Sequence, residues 1–201
     1  MGRWEFTSNR RVVGVDECGV GPIAGPMFAS AVLLREGVND LDLVRDSKTL
    51  SEHQLAAAVR QVMQHAEAWS CQSVSVRPDI GLWPPKLLAS CARAICSRYR
   101  SGAVIAIVDG TGALPLEYEH RRLVKGDSRC LEVACASVVG KYLRDERMHE
   151  LDAIYPQYGF SRHKGYATPE HVAAIRAHGM TPEHRIGPTE KALATYASKA
   201  S

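Results

Sequence analysis

The chain has 201 residues, 45% hydrophobic and 23% charged, with a formal net charge of +3 and a pI of about 8.5. These values exclude a disordered or collagen-like chain and allow one full core without disulfide or zinc staples. Mild basicity permits a nucleic-acid partner without requiring one, and no apolar run approaches the roughly 18 residues of a membrane helix.

In chain order, Arg11 to Asp16 is a Val-rich segment that predicts a strand ending at a carboxylate. A glycine-rich turn follows from Cys18 to Pro26, and Met27 to Leu34 predicts a second strand, the hairpin partner of the first. Ser51 with Gln54 three residues on is a capping-box pattern, opening a helix to about His65. Trp69 to Val76 alternates as a half-buried strand does. Pro84 and Pro85 start a helix to about Tyr99. Ala103 to Asp109 is a continuous apolar run, the pattern of a central strand covered on both faces, and it too ends at a carboxylate. Cys130 to about Asp152 predicts a long helix. Thr168-Pro169-Glu170 opens another, with Gly179 as its stop. The Ala- and Lys-rich tail from Glu190 to Ser201 reads as a frayed helix or a disordered end. Strands first, then alternating helices and strands, imply an α/β fold with a mixed sheet flanked by helices.

The six cysteines (Cys18, Cys71, Cys91, Cys96, Cys130 and Cys135) form no C-x-x-C pair. They read as small buried thiols in a reducing compartment. Met1 to Glu5 lacks the apolar core of a signal peptide, so a cytoplasmic location is expected.

Two apolar strands end in acids, Asp16-Glu17 and Asp109, where strands leave the sheet for loops. Taken singly, each reads equally as a turn acid. Asp127, just before the long helix, reads by itself as a helix cap. Gathered in one pocket, the acids change meaning. Two carboxylates about 4 Å apart repel by on the order of 4 kcal/mol at an effective dielectric near 20. Such a cluster needs protons or cations. Hard Mg²⁺ or Mn²⁺ takes oxygen ligands, and a pair of these ions suits phosphodiester hydrolysis.

Five blocks, in order from residue 12 to about residue 188, resemble type 2 ribonuclease H. They are Val15 to Pro26, Asp46 to Ser51, Val108-Asp109-Gly110, Lys125 to Ser128 with Ala136 to Lys141 and Arg144-Asp145, and Tyr158 to Thr168 with His171. The resemblance implies a ribonuclease H-like catalytic domain over 1–155 and a C-terminal helical substrate-binding segment over 156–201. It implies that Asp16, Glu17, Asp109 and Asp127 hold two Mg²⁺ or Mn²⁺ ions. The first three would be direct ligands, and Asp127 a ligand or a residue that positions water and substrate.

By the same resemblance, the backbone of Gly19, Val20 and Gly21 reads the ribose 2′-OH, which backbone groups can recognise at close approach. Tyr166 stacks on a sugar near the RNA–DNA junction. Lys48, Arg162, His163 and Lys164 contact phosphate, His163 alternatively bracing Tyr166. The substrates implied are RNA/DNA hybrids and duplex DNA carrying ribonucleotides, cut to 5′-phosphate and 3′-hydroxyl ends. A monomer working beside replication or repair proteins is expected. Three departures mark a divergent member: Val20 stands where the family has arginine, Thr111 where it has asparagine, and Pro78 to Pro85 differs in pattern. Weaker binding or altered ribonucleotide selectivity is expected from Val20. A protein that binds hybrids but cuts poorly, and a nuclease of this fold acting on DNA alone, are the competing readings.

Overall fold

A computed structural model describes residues 4–6 and 8–198. Five strands form one mixed sheet: β1 (Arg11–Cys18), β2 (Met27–Leu34), β3 (Ala66–Val74), β4 (Val104–Asp109) and β5 (His120–Leu123), in the order β3-β2-β1-β4-β5. β1 pairs antiparallel with β2, as its hairpin partner, and parallel with β4. The helices are α1 (Glu52–His65), α2 (Pro84–Cys96), α3 (Leu131–Ile154), α4 (Phe160–His163), α5 (Pro169–His178) and α6 (Ile186–Ser198).

The sheet is covered on both faces, as the continuous apolar runs predict. Val13, Val15, Ala106 and Val108 share a core with Leu88, Ala92 and Ile95 of α2. On the other face, Val12, Ile105 and Ile107 pack on Val133 of α3, while Val32 and Leu34 pack beneath α1 and α3. α3 comes close because Gly14 has no side chain; a Cβ there would collide with the backbone of Glu132 and Val133. The C-terminal helices attach through a third core, in which Tyr158, Phe160 and Ile175 bury Ile23, Met148 and Leu151.

Several boundaries differ from the sequence reading. β1 runs two residues past Asp16, because Glu17 and Cys18 still pair with Ala29 and Phe28. β3 starts at Ala66, directly after α1, because Leu34 and Leu33 take Ala66 and Ala68 as partners. α2 ends at Cys96 rather than near Tyr99, whose hydroxyl instead donates to Glu67. The tail is helical from Ile186, and Thr189 anchors it by donating from Oγ1 to the carbonyl of Ile23 at 3.2 Å; residues 199–201 lie outside the described residues. β5 escapes the sequence reading because it is a polar edge strand, His-Arg-Arg-Leu. The Ser51–Gln54 capping box and the Thr168 cap form as expected. All six cysteines are free, four of them buried. Among the described residues, no helix is long and apolar enough to cross a membrane.

Candidate active site

Parallel neighbours end on the same side of a sheet. Val15 of β1 sits beside Val108 of β4, so the next residues, Asp16 and Asp109, emerge together. The third acid arrives by a tether. Asp109 Oδ1 accepts the backbone N–H of Gly126 at 2.6 Å, which draws the β5–α3 connection onto the end of β4. Asp127 sits in a 3-10 turn, Gly126–Ser128, and the residue that precedes α3 as its cap is Cys130. The capping role that its sequence position suggests is therefore not the one Asp127 has. Its carboxylate joins the pocket.

Asp16, Glu17, Asp109 and Asp127 line one cavity of about 450 Å³ with Gly19, Val20, Gly21, Lys48, Lys164 and Tyr166. Burial, and then the charge of Asp109, push the Asp16 carboxyl well above the usual carboxylate range, and Ser137 partly offsets this. The same two causes raise Glu17 and Asp127. Such crowding favours a cation in the pocket. Lys48 supplies one positive charge, its Nζ 4.0 Å from Asp127 Oδ2. It is presented by the turn Ser47–Thr49, which Asp46 caps. A larger cleft of about 680 Å³ lies at the opposite end of β1, around Arg10, Arg11 and Glu36. Volume does not select the site; the acids do.

The four carboxylates offer only hard oxygen donors, as Mg²⁺ and Mn²⁺ prefer. Glu17 Oε2 is buried with no hydrogen-bond partner among the described residues, an acceptor that a cation would satisfy. Among the described residues no three His, Cys, Asp or Glu side chains stand in a ready coordination cage, so small side-chain rotations must accompany binding. On donor chemistry the residues fit divalent ions.

The glycine turn forms the wall beside the acids. Gly19 has φ +82°, which side chains rarely adopt, and a Cβ there would strike Arg144. Two buried arginines, without an ion-pair carboxylate among the described residues, hold this turn by its carbonyls. Arg185 donates to Gly19, Val20 and Gly25 at 2.6–2.9 Å. Arg144 donates to Pro26 at 3.1 Å and to Lys164 at 3.0 Å. Sequence reasoning gave neither a role. The signal available was the Arg144-Asp145 pair within the long helix, together with the His184-Arg185 pair.

Tyr166 stands 53% exposed at the mouth, its ring 3.7 Å from where a Gly21 Cβ would lie. Lys164 lines the cavity, but its Nζ donates to Glu52 at 2.8 Å on the rim. His163 and Arg162 do not line it. The His163 ring is engaged at both nitrogens: Nε2 meets the carbonyl of Tyr158 at 2.8 Å, and Nδ1 accepts the N–H of Gly165 at 3.2 Å. It also stacks on His171 at 4.1 Å. These contacts lie within and beneath the segment that carries Tyr166.

Comparison with known proteins agrees with this architecture. Residues 13–187 match the family model for ribonuclease HII. A ribonuclease HII of Nitrosomonas europaea is 39% identical over 184 residues, 90% of this chain and 84% of that protein. The ribonuclease H2 of Pyrococcus horikoshii superposes with a TM-score of 0.70 at 21% identity, covering 93% of this chain and 99% of that one. Bst-RNase HIII, solved in complex with Mn²⁺, gives 0.68 at 18% identity, covering 94% and 70%. A mixed sheet with these crossovers, and sequence identity sustained over nine-tenths of its length, make the chain a member of the ribonuclease HII family: a ribonuclease H, hydrolysing RNA in the context of RNA and DNA.

Proposed function

We propose that the chain cuts the RNA strand of RNA/DNA hybrids and also cuts duplex DNA at embedded ribonucleotides, leaving 5′-phosphate and 3′-hydroxyl ends. The observation that carries this reading is the adjacency, in one cavity, of the four carboxylates with the glycine turn and Tyr166. A nuclease needs the acids; a nuclease that checks for ribose also needs donors and acceptors at the 2′ position.

Asp16, Glu17, Asp109 and Asp127 would hold two divalent ions, Mg²⁺ or Mn²⁺, which supply Lewis acidity toward the scissile phosphate and offset the acids' charge. The capture of Mn²⁺ by Bst-RNase HIII supports that donor chemistry. Gly21 leaves room for ribose to approach the backbone of the turn, and Gly19 supplies the positive φ that the turn needs. Tyr166 offers its exposed ring to a sugar. Lys48 and Lys164 supply positive charge toward the phosphates on either side of the acids. The segment over 156–201, whose described part packs on α3 through Phe160 and Ile175, would present the substrate-binding surface to a catalytic unit over 1–155. The protein would act as a monomer.

The test is cleavage, in Mn²⁺ and in Mg²⁺, of three duplexes: an RNA/DNA hybrid, DNA holding one ribonucleotide, and all-DNA. Cutting of the first two and not the third is expected. Tight binding without cuts would replace this reading with a hybrid-binding protein, and equal cutting of all-DNA would remove the ribose-reading role.

A further inference from the structure

Arg122 is an arginine of the edge strand that the proposed chemistry leaves unused. Its place follows from register. Arg122 of β5 lies beside Val108 of β4, and Val108 beside Val15 of β1. Cross-strand neighbours share a face, and along a strand that face recurs every second residue. Arg122, Val108, Val15 and Glu17 therefore face the same side of the sheet. Arg122 Nη2 is pinned, donating to the carbonyl of Thr111 at 2.8 Å. Among the described residues, its Nε and Nη1 are buried with no hydrogen-bond partner, and so is Glu17 Oε2. Opposite charges with unmet hydrogen bonds thus lie on one face of the sheet, one strand apart, and these particular atoms do not bond to each other. The guanidinium already works against the burial that raises the Glu17 carboxyl.

Leaving buried charged groups unsatisfied is unfavourable by more than a neutral hydrogen bond is worth. A rotation of the Glu17 side chain toward β5 would satisfy both groups at once. A divalent ion in the pocket would satisfy the same carboxylate from the other side. We propose that Arg122 is a positioning residue that competes with the metal for Glu17, drawing the carboxylate toward β5 and so raising the ion concentration at which the site fills. This rests on the reading of Glu17 as a metal-holding residue. One guanidinium nitrogen is held by the Thr111 carbonyl, so a carboxylate turned toward β5 is turned away from the ion.

The experiment is calorimetric titration of Mn²⁺ into metal-free protein at fixed pH and salt, with Arg122→Met, Arg122→Lys and Glu17→Gln beside the unaltered chain. Arg122→Met is expected to bind Mn²⁺ about threefold to tenfold more tightly. Arg122→Lys, which keeps the charge, should stay near the unaltered affinity. In cleavage assays the larger change should fall on the half-saturating Mn²⁺ concentration rather than on kcat. If Arg122→Met does not fold, Arg122→Gln, which keeps a donor for Thr111, takes its place with the same expectation. Unchanged or weaker Mn²⁺ binding in the neutral variants, with Glu17→Gln weakened, would overturn the competition and leave the metal role of Glu17 standing. Glu17→Gln binding Mn²⁺ as tightly as the unaltered chain would overturn both. Loss of hybrid affinity at unchanged Mn²⁺ affinity would make Arg122 a phosphate contact instead.

Discussion

Arg185 Nη2 donates to the carbonyl of Gly19 at 2.6 Å, joining residues 166 positions apart. The same guanidinium takes the carbonyls of Val20 and Gly25, so the last part of the chain fixes the orientation of the glycine turn near its start. A carbonyl drawn inward turns its neighbouring peptide groups outward, toward the cavity. Lysine keeps the charge but cannot span three carbonyls in a plane. Arg185→Lys is therefore expected to lower kcat/KM on DNA holding one ribonucleotide by roughly tenfold to a hundredfold, the scale of a misplacement near 1 Å. Mn²⁺ affinity should stay within about twofold, since none of the four acids bonds to Arg185. Unaltered cleavage in that variant would remove the clamp from the account of ribose reading.

Asp109 is the acid whose charge bears on the other three. Asp109→Asn keeps an Oδ1 to accept the Gly126 N–H, so the tether to Asp127 survives while the charge is lost. Cleavage should fall by on the order of a thousandfold or more, the scale of several kcal/mol of lost charge stabilisation. Hybrid affinity in the absence of metal should hold or rise slightly. Retained turnover would end the metal role assigned to Asp109.

How far the sequence reached can be judged at particular residues. Asp16 and Asp109 were legible because each closes an apolar run, and the parallel pairing of those runs is what brings them together. Glu17 and the glycine turn stood out in the residues themselves, but the ribose-reading role expected of the turn came only through resemblance. Arg185 was not, because its partners are main-chain carbonyls, which leave no pattern in the sequence. Asp127 sits where a helix cap would sit, and the 3-10 turn that frees it depends on Lys125 adopting φ 55°, a left-handed conformation that lysine does not signal. His163 followed the opposite course: its neighbours Arg162 and Lys164 suggest a phosphate-binding run, while its ring is turned inward onto His171. β5 was invisible because an edge strand has only one neighbour and tolerates His-Arg-Arg where a central strand would not.

Val20 is 47% exposed at the rim, its carbonyl held by Arg185, so its side chain is free to face substrate. Val20→Arg adds a cation within reach of a phosphate without disturbing the main chain. Dissociation constants for a hybrid should fall about threefold to tenfold at low salt, and the log–log salt dependence should steepen by about one unit. Fluorescence anisotropy over a salt series measures both. An unchanged slope would show that no phosphate passes position 20.

The cluster of His163 stacked on His171, with His184 hydrogen-bonded to it, predicts a pH dependence whose sign follows from its hydrogen bonds. Tyr166 O can only accept, so His171 Nδ1 carries a hydrogen. His171 Nε2 then accepts from His184 Nε2, 3.1 Å away, and His184 Nδ1 accepts the Thr181 N–H. His163 completes the set with Nδ1 accepting from Gly165. Every ring is neutral, and a further proton on His171 or His184 would set donor against donor. Burial pushes His171 and His184 down to about 4, against an ordinary value near 6.5. Between those two values the unfolded chain binds more protons than the folded one, so stability is lost as pH falls from 6.5 toward 4 and is unaffected above 7. At pH 5.5 one such histidine costs about 1.4 kcal/mol relative to pH 7.5, or about 3–6 °C in Tm for a chain of this length. Thermal melts at the two pH values should show at least that drop, and the imidazole resonances of His171 and His184 should not shift above about pH 5. A resonance from either ring titrating near 6.5 would mean that the cluster opens in solution, and with it the support under Tyr166.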